Sequence, residues 1–255
     1  MTELIKSTAA LAAMRRAGQI LAKTQATLIS ALKPGVTGTE LDRLAEKTIA
    51  SLGGQPSFKG FEGFPASVCL SVNDGLVHGI PNDRPFREGD LVGIDLGVCI
   101  DGWHVDAATT VGVGTIDPAD QALVDTAWAA FRVGFAKARD GVHLGDVQHA
   151  IQTVIEAGGY GLVRNLSGHG IGQTLHEEPS IPNFGTPGQG LVLHTGMTIC
   201  LEPMLTRGSA EIVTDADGWT IVTADGSRAA HVEHTILVTD TGAEILTDSD
   251  RGHTR

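Results

Sequence analysis

The feature that most constrains this chain is an Asp-Gly pair, Asp101-Gly102, between two β-like runs, LVGIDLGVCI at 91–100 and WHVDAATTV at 103–111. Asp-Gly suits the two-residue turn whose positive backbone angles match the twist of paired strands. Ile100 then faces Trp103, Gly97 faces Asp106 and Asp95 faces Ala108. Side chains alternate along a strand, so Asp95, Gly97 and Cys99 share a face with His104, Asp106 and Ala108. Asp95 and Asp106 become diagonal neighbours, roughly 7–8 Å apart at the backbone. The opposite face, Val92, Ile94, Leu96, Val98 and Ile100, is expected to pack on helices. Two carboxylates in an apolar hairpin repel and resist ionisation unless a cation lies between them. The alternatives are a solvent-facing strand surface, or hydrogen bonds from backbone and Ser/Thr groups.

Helical patterns flank this hairpin. Leu11, Met14, Leu21, Leu28 and Leu32 recur at helix-compatible spacings, and Pro34-Gly35 ends the run. Thr37 and Glu40 form a capping box, with Val36 and Leu41 placed as a hydrophobic staple; that helix runs to Gly53-Gly54. Asp117-Pro118 opens a third helix through about Arg139, and a fourth runs from Gly141 to Gly158-Gly159. Shifted by about 106 residues, Gly35-Val36 falls on Gly141-Val142, and Leu41, Ala45 and Ile49 fall on Val147, Ile151 and Ile155. So few positions also match by coincidence. β-rich stretches follow each helix pair, at 66–113 and 190–247. The order points to an α+β fold. We expect one domain over 1–255, in two related halves at about 1–115 and 116–247, with a polar tail at 248–255.

Further acids and histidines sit where they need partners. Glu202 lies in the apolar run MTICLEPM, and Glu233 in HVEHTILV. His169 is flanked by glycines in SGHGIG, His176 follows it before Glu177-Glu178-Pro179, and His78 lies in the turn-rich NDGLVHGIP. Each histidine alone reads as readily as a structural or surface group. His231 and His234 do not share a strand face, so they are not expected to share a metal. Carboxylates and imidazole together suit hard or borderline divalent ions. No GxSxG motif and no phosphate loop competes.

A net charge of −12 disfavours nucleic acid as a partner. Cys69, Cys99 and Cys200 lie in apolar stretches without a CxxC spacing, as expected of reduced thiols. No apolar run is long enough for a membrane helix, and the N-terminus lacks the form of a signal peptide. The expected location is the cytoplasm.

Taken together, VxHGIP at His78, IDxGxxxDGWHxDA at Asp95 and Asp106, GHGIGxxxHEEP at His169 and His176, MTxCLEPM at Glu202 and VEHTILVT at Glu233 resemble the type I methionine aminopeptidases of the short bacterial form. The resemblance runs from about Ile5 to Thr247. It implies the pita-bread fold, a pseudo-symmetric α+β sandwich around a metal site. It implies two divalent ions, with cobalt, manganese, iron and zinc all suitable. Asp95 would hold one ion, Asp106 and Glu233 would bridge both, and His169 and Glu202 would hold the second. His78 and His176 would contact the substrate and stabilise the transition state. A metal-bridging hydroxide would attack the first peptide bond, with Glu202 shuttling the proton.

The resemblance also places Phe58, Phe61, Phe64, Cys69, His78 and Trp219 around a slot for methionine. The bare residues of that loop read equally as ordinary packing. This chain departs from the family's pattern at Phe61 and Phe64, where tyrosines are common, at Leu175, where phenylalanine is common, and at Glu62, where histidine is common. Those departures bear on the slot's shape, not on the chemistry. The implied substrates are the N-termini of nascent polypeptides with a small second residue, and Met1-Thr2 of this chain fits that description. The implied assembly is a monomer. Ribosome association would suit such an activity, though no basic patch supports it. The rivals are a proline-directed peptidase on the same fold and a non-catalytic binding protein that has lost its metal.

Overall fold

The computed structural model describes residues 4–248. The expected tail beyond Asp248, and Met1-Thr2, lie outside the described residues.

Among the described residues there are four α-helices, three of which start at a side-chain cap. Helix α1 (Thr8–Ala31) starts at Ser7, whose side chain accepts from the amide of Ala10 at 3.2 Å. Helix α2 (Gly38–Ser51) carries the full capping box: Thr37 Oγ1 accepts from the Glu40 amide, and the Thr37 amide donates to Glu40 Oε2 at 2.8 Å. Helix α3 (Pro118–Lys137) is capped by Asp117, with proline in its first turn. Helix α4 (Leu144–Ala157) follows a turn at Gly141, whose φ of 77° suits glycine.

The strands that matter for the site are β1 (Cys69–Val72), β2 (Leu91–Ile100), β3 (Trp103–Gly112), β4 (Ser167–Gly170), β5 (Glu177–Pro182), β6 (Thr198–Leu201) and β7 (Glu233–Val238). They belong to one nine-stranded sheet, in the path β2-β3-β7-β6-β4-β5. Residues 55–56 and β1 add to β2, and Ala243–Ile245 adds to β7. Strand β7 joins β3 antiparallel at Glu233↔Ala108, so both halves of the chain meet in mid-sheet. Two three-stranded ribbons complete the fold, one of which pairs Met204–Thr206 with Ala229–His231.

The hairpin register is the one its turn demands. Ile100 pairs with Trp103, Gly97 with Asp106, and Asp95 with Ala108. Asp101 and Gly102 take φ of 52° and 79°. Val92, Ile94, Leu96 and Val98 are fully buried against Met14, Ala17, Leu21 and Leu28 of α1 and Leu41 and Ile49 of α2. A second core packs Leu123, Ala127 and Phe131 of α3 and Val147, Ile151 and Ile155 of α4 against Ile199, Leu201 and Ile236. Each helix pair thus has its own core under a shared sheet. No described helix is long and apolar enough to cross a membrane.

Short strands at 55–56 and 161–162 fall outside the expected β-rich stretches, and one longer region differs as well. Strands β4 and β5 lie outside both expected β-rich stretches. Their sequences, SGHG and EEPSIP, have little strand propensity, and the pairing comes from tertiary contact.

Candidate metal centre

Strand β2 and strand β3 deliver the two aspartates to one face. Gly97 lets residues 57–58 close onto that face: a Cβ there would stand 2.7 Å from the Ser57 side chain and 3.0 Å from the Phe58 ring. Thr235 of β7 fixes Asp106 from the neighbouring strand, accepting from its amide at 2.8 Å and donating to its carbonyl at 2.9 Å. The carboxylates of Asp95 and Asp106 are buried, and their ligand atoms lie within 4.8 Å of each other and of Glu233.

Glu233 opens β7, and Glu202 follows β6. His169 sits on β4, held against β6 because a Cβ at Gly168 would stand 2.3 Å from the Cys200 carbonyl. Its Nδ1 lies 2.9 Å from the Gly170 carbonyl, which can only accept. Nδ1 therefore carries the hydrogen, and Nε2 offers a lone pair. That Nε2 lies 3.7 Å from Glu233 Oε1 and 3.9 Å from Glu202 Oε1. The five expected ligands converge.

The electrostatics call for a cation. Burial, joined by neighbouring carboxylates, pushes Asp95 and Glu233 well above the usual carboxylate range; burial alone does so for Glu202. Asp106 is raised to about 7 by burial and then by Glu202. Burial lowers His169 and His231 to about 3, so both are neutral near pH 7. Asp95 Oδ1, Asp106 Oδ1 and Glu233 Oε1 are buried without hydrogen-bond partners. Orphaned carboxylate oxygens facing one another are unfavourable unless a cation shares them. The donor set, oxygens with one imidazole, fits divalent ions. Cys200 also lies within reach of His169 and Glu233, but burial raises its thiol and it bonds Thr235 Oγ1 at 3.4 Å.

These groups form the floor of a cavity of about 320 Å³. Phe58, Phe61, Phe64, Cys69, His78, His176 and Trp219, the residues that the resemblance implied for substrate contact, line it as well. Phe64 meets Trp219 edge-on at 5.2 Å, and Phe61 meets His176 edge-on at 5.3 Å. His176 in turn stands edge-on to His169 at 4.4 Å. His78 follows a short strand with a φ of 59°, an unusual conformation for a non-glycine residue. Leu175 is buried in the wall, and Glu62 stands at the rim.

The sequence reasoning missed His231. It is buried in the wall, 3.5 Å from Glu202 Oε2 and 3.8 Å from Glu233 Oε2. His234 points elsewhere, to Thr247 Oγ1 at 2.8 Å, so the expectation that the two share no metal agrees with the geometry. The signal for His231 was its place two residues before Glu233, on the same strand face. Val77, Leu166, Ser167 and Met204 of the wall carried no such signal.

Comparison with known proteins places this geometry. Over residues 12–240 the sequence matches metallopeptidase family M24. A methionine aminopeptidase of Clostridium perfringens is 47% identical over 92% of this chain and 94% of its own. Methionine aminopeptidase 1 of Bacillus subtilis is 45% identical over 96% and 98%. The crystal structure of methionine aminopeptidase from Thermotoga maritima superposes with a TM-score of 0.95 at 41% identity, covering 96% of this chain and 99% of that one. Prolidase from Pyrococcus furiosus shares the fold alone, with a TM-score of 0.80 at 23% identity. These neighbours have the pita-bread architecture that the motifs implied. A match over nearly the whole chain, with relatives of this similarity, means that the chain belongs to metallopeptidase family M24.

Proposed function

We propose that this chain removes the N-terminal methionine from peptides and nascent proteins, by metal-dependent hydrolysis of the first peptide bond. The observation that carries the reading is the meeting of five ligand side chains with an apolar, aromatic-lined recess in one cavity.

Asp95, Asp106, His169, Glu202 and Glu233 would hold two divalent ions, with Asp106 and Glu233 shared between them. Cobalt, manganese, iron and zinc all suit these donors. Bound divalent ions supply a Lewis acid and lower the pKa of water to near neutrality.

The chain's own groups do the rest. Phe58, Phe61, Phe64 and Trp219 receive the methionine side chain, with Cys69 and Leu175 at its end. Burial lowers His176, so it is neutral near pH 7 and can donate one hydrogen bond to the carbonyl oxygen as charge develops there. His78 orients the amide beyond the scissile bond. Glu202 carries the proton from the attacking water to the leaving amine. The narrow cavity favours a small second residue. Every one of these groups comes from a single chain, which supports action as a monomer. Action on newly made chains would suit a cytoplasmic location near ribosomes, without a direct nucleic-acid contact.

The test is release of free methionine from Met-Ala-Ser and Met-Lys-Ser by metal-stripped protein reloaded with each ion. Metal-dependent cleavage of the first peptide but not the second is expected. Folded, reloaded protein that releases no methionine but cleaves an X-Pro bond would replace this reading with a proline-directed peptidase. Glu202→Gln should keep metal and lose turnover; normal turnover would remove the proton-shuttle role.

A further inference from the structure

The reaction above gives His231 no task, yet the fold holds it as firmly as it holds a ligand. The side chain is buried, and its Nε2 has no hydrogen-bond partner. The two glutamates stand between two imidazoles. Oε1 of each faces His169, at 3.9 Å from Glu202 and 3.7 Å from Glu233. Oε2 of each faces His231, at 3.5 Å and 3.8 Å. His169 Nε2 presents a lone pair, so the Oε1 side is the one that an ion would share with it. The Oε2 side needs a donor if each carboxylate is to keep one orientation.

The backbone of His231 is locked accordingly. Thr110 Oγ1 donates to its carbonyl and accepts from its amide, each at 2.9 Å. Thr235 makes the same double contact with Asp106. One device thus anchors an expected ligand and His231 alike. His231 also pairs with Met204, two residues past Glu202, so donor and acceptor are carried on adjoining backbone.

We propose that His231 is a positioning residue of the metal centre, donating its Nε2 hydrogen to Oε2 of Glu202 and so turning Oε1 toward the ion shared with His169. This rests on the metal-centre reading above. Partners of this kind, one bond removed from the ion, typically change metal affinity or activity by roughly 10–100-fold when lost.

Two measurements test it. In the first, metal-free wild type, His231→Leu and His231→Gln are titrated with Mn²⁺ by calorimetry and assayed for kcat and KM. The leucine variant should bind one equivalent about 10–100-fold more weakly, with kcat reduced and KM nearly unchanged. Glutamine, which restores an N–H donor, should recover most of both. In the second, wild type loaded with Zn²⁺ and labelled with ¹⁵N is read by imidazole NMR, which needs no variant to fold. A protonated His231 Nε2 is expected. A zinc-bound or unprotonated Nε2, or a folded leucine variant with unchanged affinity and kcat, would overturn the proposal. Wild type that binds no divalent ion would instead overturn the metal-centre reading itself.

Discussion

The hairpin β2–β3 and the hairpin β4–β5 both deliver groups to the same cavity, and they are built in opposite ways. The first pairs without interruption from Leu91↔Gly112 to Ile100↔Trp103. Its aspartates are aimed by strand alternation alone. The second pairs from Ser167↔Pro182 to His169↔Ser180, then shifts register before Gly170↔Glu177. Its shape depends on specific hooks. Thr198 Oγ1 donates to the Ile171 carbonyl at 2.6 Å, Thr174 Oγ1 to the His176 carbonyl at 3.0 Å, and Lys6 Nζ to Glu177 at 2.8 Å. A regular ladder positions charge; an irregular loop, tied at several points, positions the histidines.

The largest effect should come from the regular side. Asp106→Asn removes an expected bridging ligand without changing shape. It should lower methionine release by on the order of 10³-fold or more. Because it also removes a carboxylate from a crowded buried set, the metal-free variant should melt no lower than metal-free wild type. A large fall in metal-free melting temperature would show that Asp106 is structural instead.

On the irregular side, Lys6→Met should strip the buried Glu177 carboxylate of its ammonium partner. Breaking such a pair costs about 3–5 kcal/mol. Glu177 Oε1 also accepts from the Thr174 amide at 3.2 Å, so the turn that carries His176 should loosen. Denaturant unfolding should record the loss, and kcat should fall while metal affinity at Asp95 and Asp106 holds. Unchanged stability and kcat would mean that the tie to Lys6 does not govern the turn.

The same contrast decides what was legible in the sequence. The β2–β3 register followed from Asp101-Gly102 and an alternating pattern, because local turn chemistry and burial agree there. Helix α2 followed from Thr37 and Glu40 for the same reason. Strands β4 and β5 were not legible as strands: glycines and prolines carry no period, and β4 joins the sheet only at Gly170↔Ile199. His169 and His176 stand out locally only through the glycines around His169 and the Glu177-Glu178-Pro179 that follows His176; their roles come from motif resemblance. His231 escapes the sequence because its neighbour Glu202 is distant along the chain and comes beside it only through the Met204–Thr206 ribbon.

A gentler probe separates the two hairpins by backbone clearance. Gly168→Ala places a methyl group 2.3 Å from the Cys200 carbonyl oxygen, which is backbone and cannot swing away. β4 must then move off β6, at a cost of about 1–3 kcal/mol. Gly93→Ala in the regular hairpin meets nothing nearer than 3.6 Å and should change stability little. Measured by chemical unfolding, equal losses at the two positions would erase the distinction between ladder and hooks.

The smallest effect is a dependence on pH that appears only without metal. The carboxylates have raised pKa values in the folded state, Asp106 moving from 3.8 to about 7. A raised group gives stability that is complete below the unfolded pKa and is lost as pH rises through the folded one. The histidines act in the other direction. His169 and His231 drop from 6.5 to about 3, so their contribution is present above pH 6.5 and is lost as pH falls. Below about pH 6.5 the two sets oppose each other; above it only the carboxylates still change. With chelator present, the melting temperature should therefore fall by several degrees between about pH 6.5 and 8. With Mn²⁺ bound, the carboxylates are held ionised, and this fall should vanish or reverse. Binding should also release protons, read as a buffer dependence of the calorimetric heat. A chelated protein whose melting temperature stays level or rises over that interval would mean that these carboxylates ionise freely, and the argument from buried charge to a cation would lose its footing.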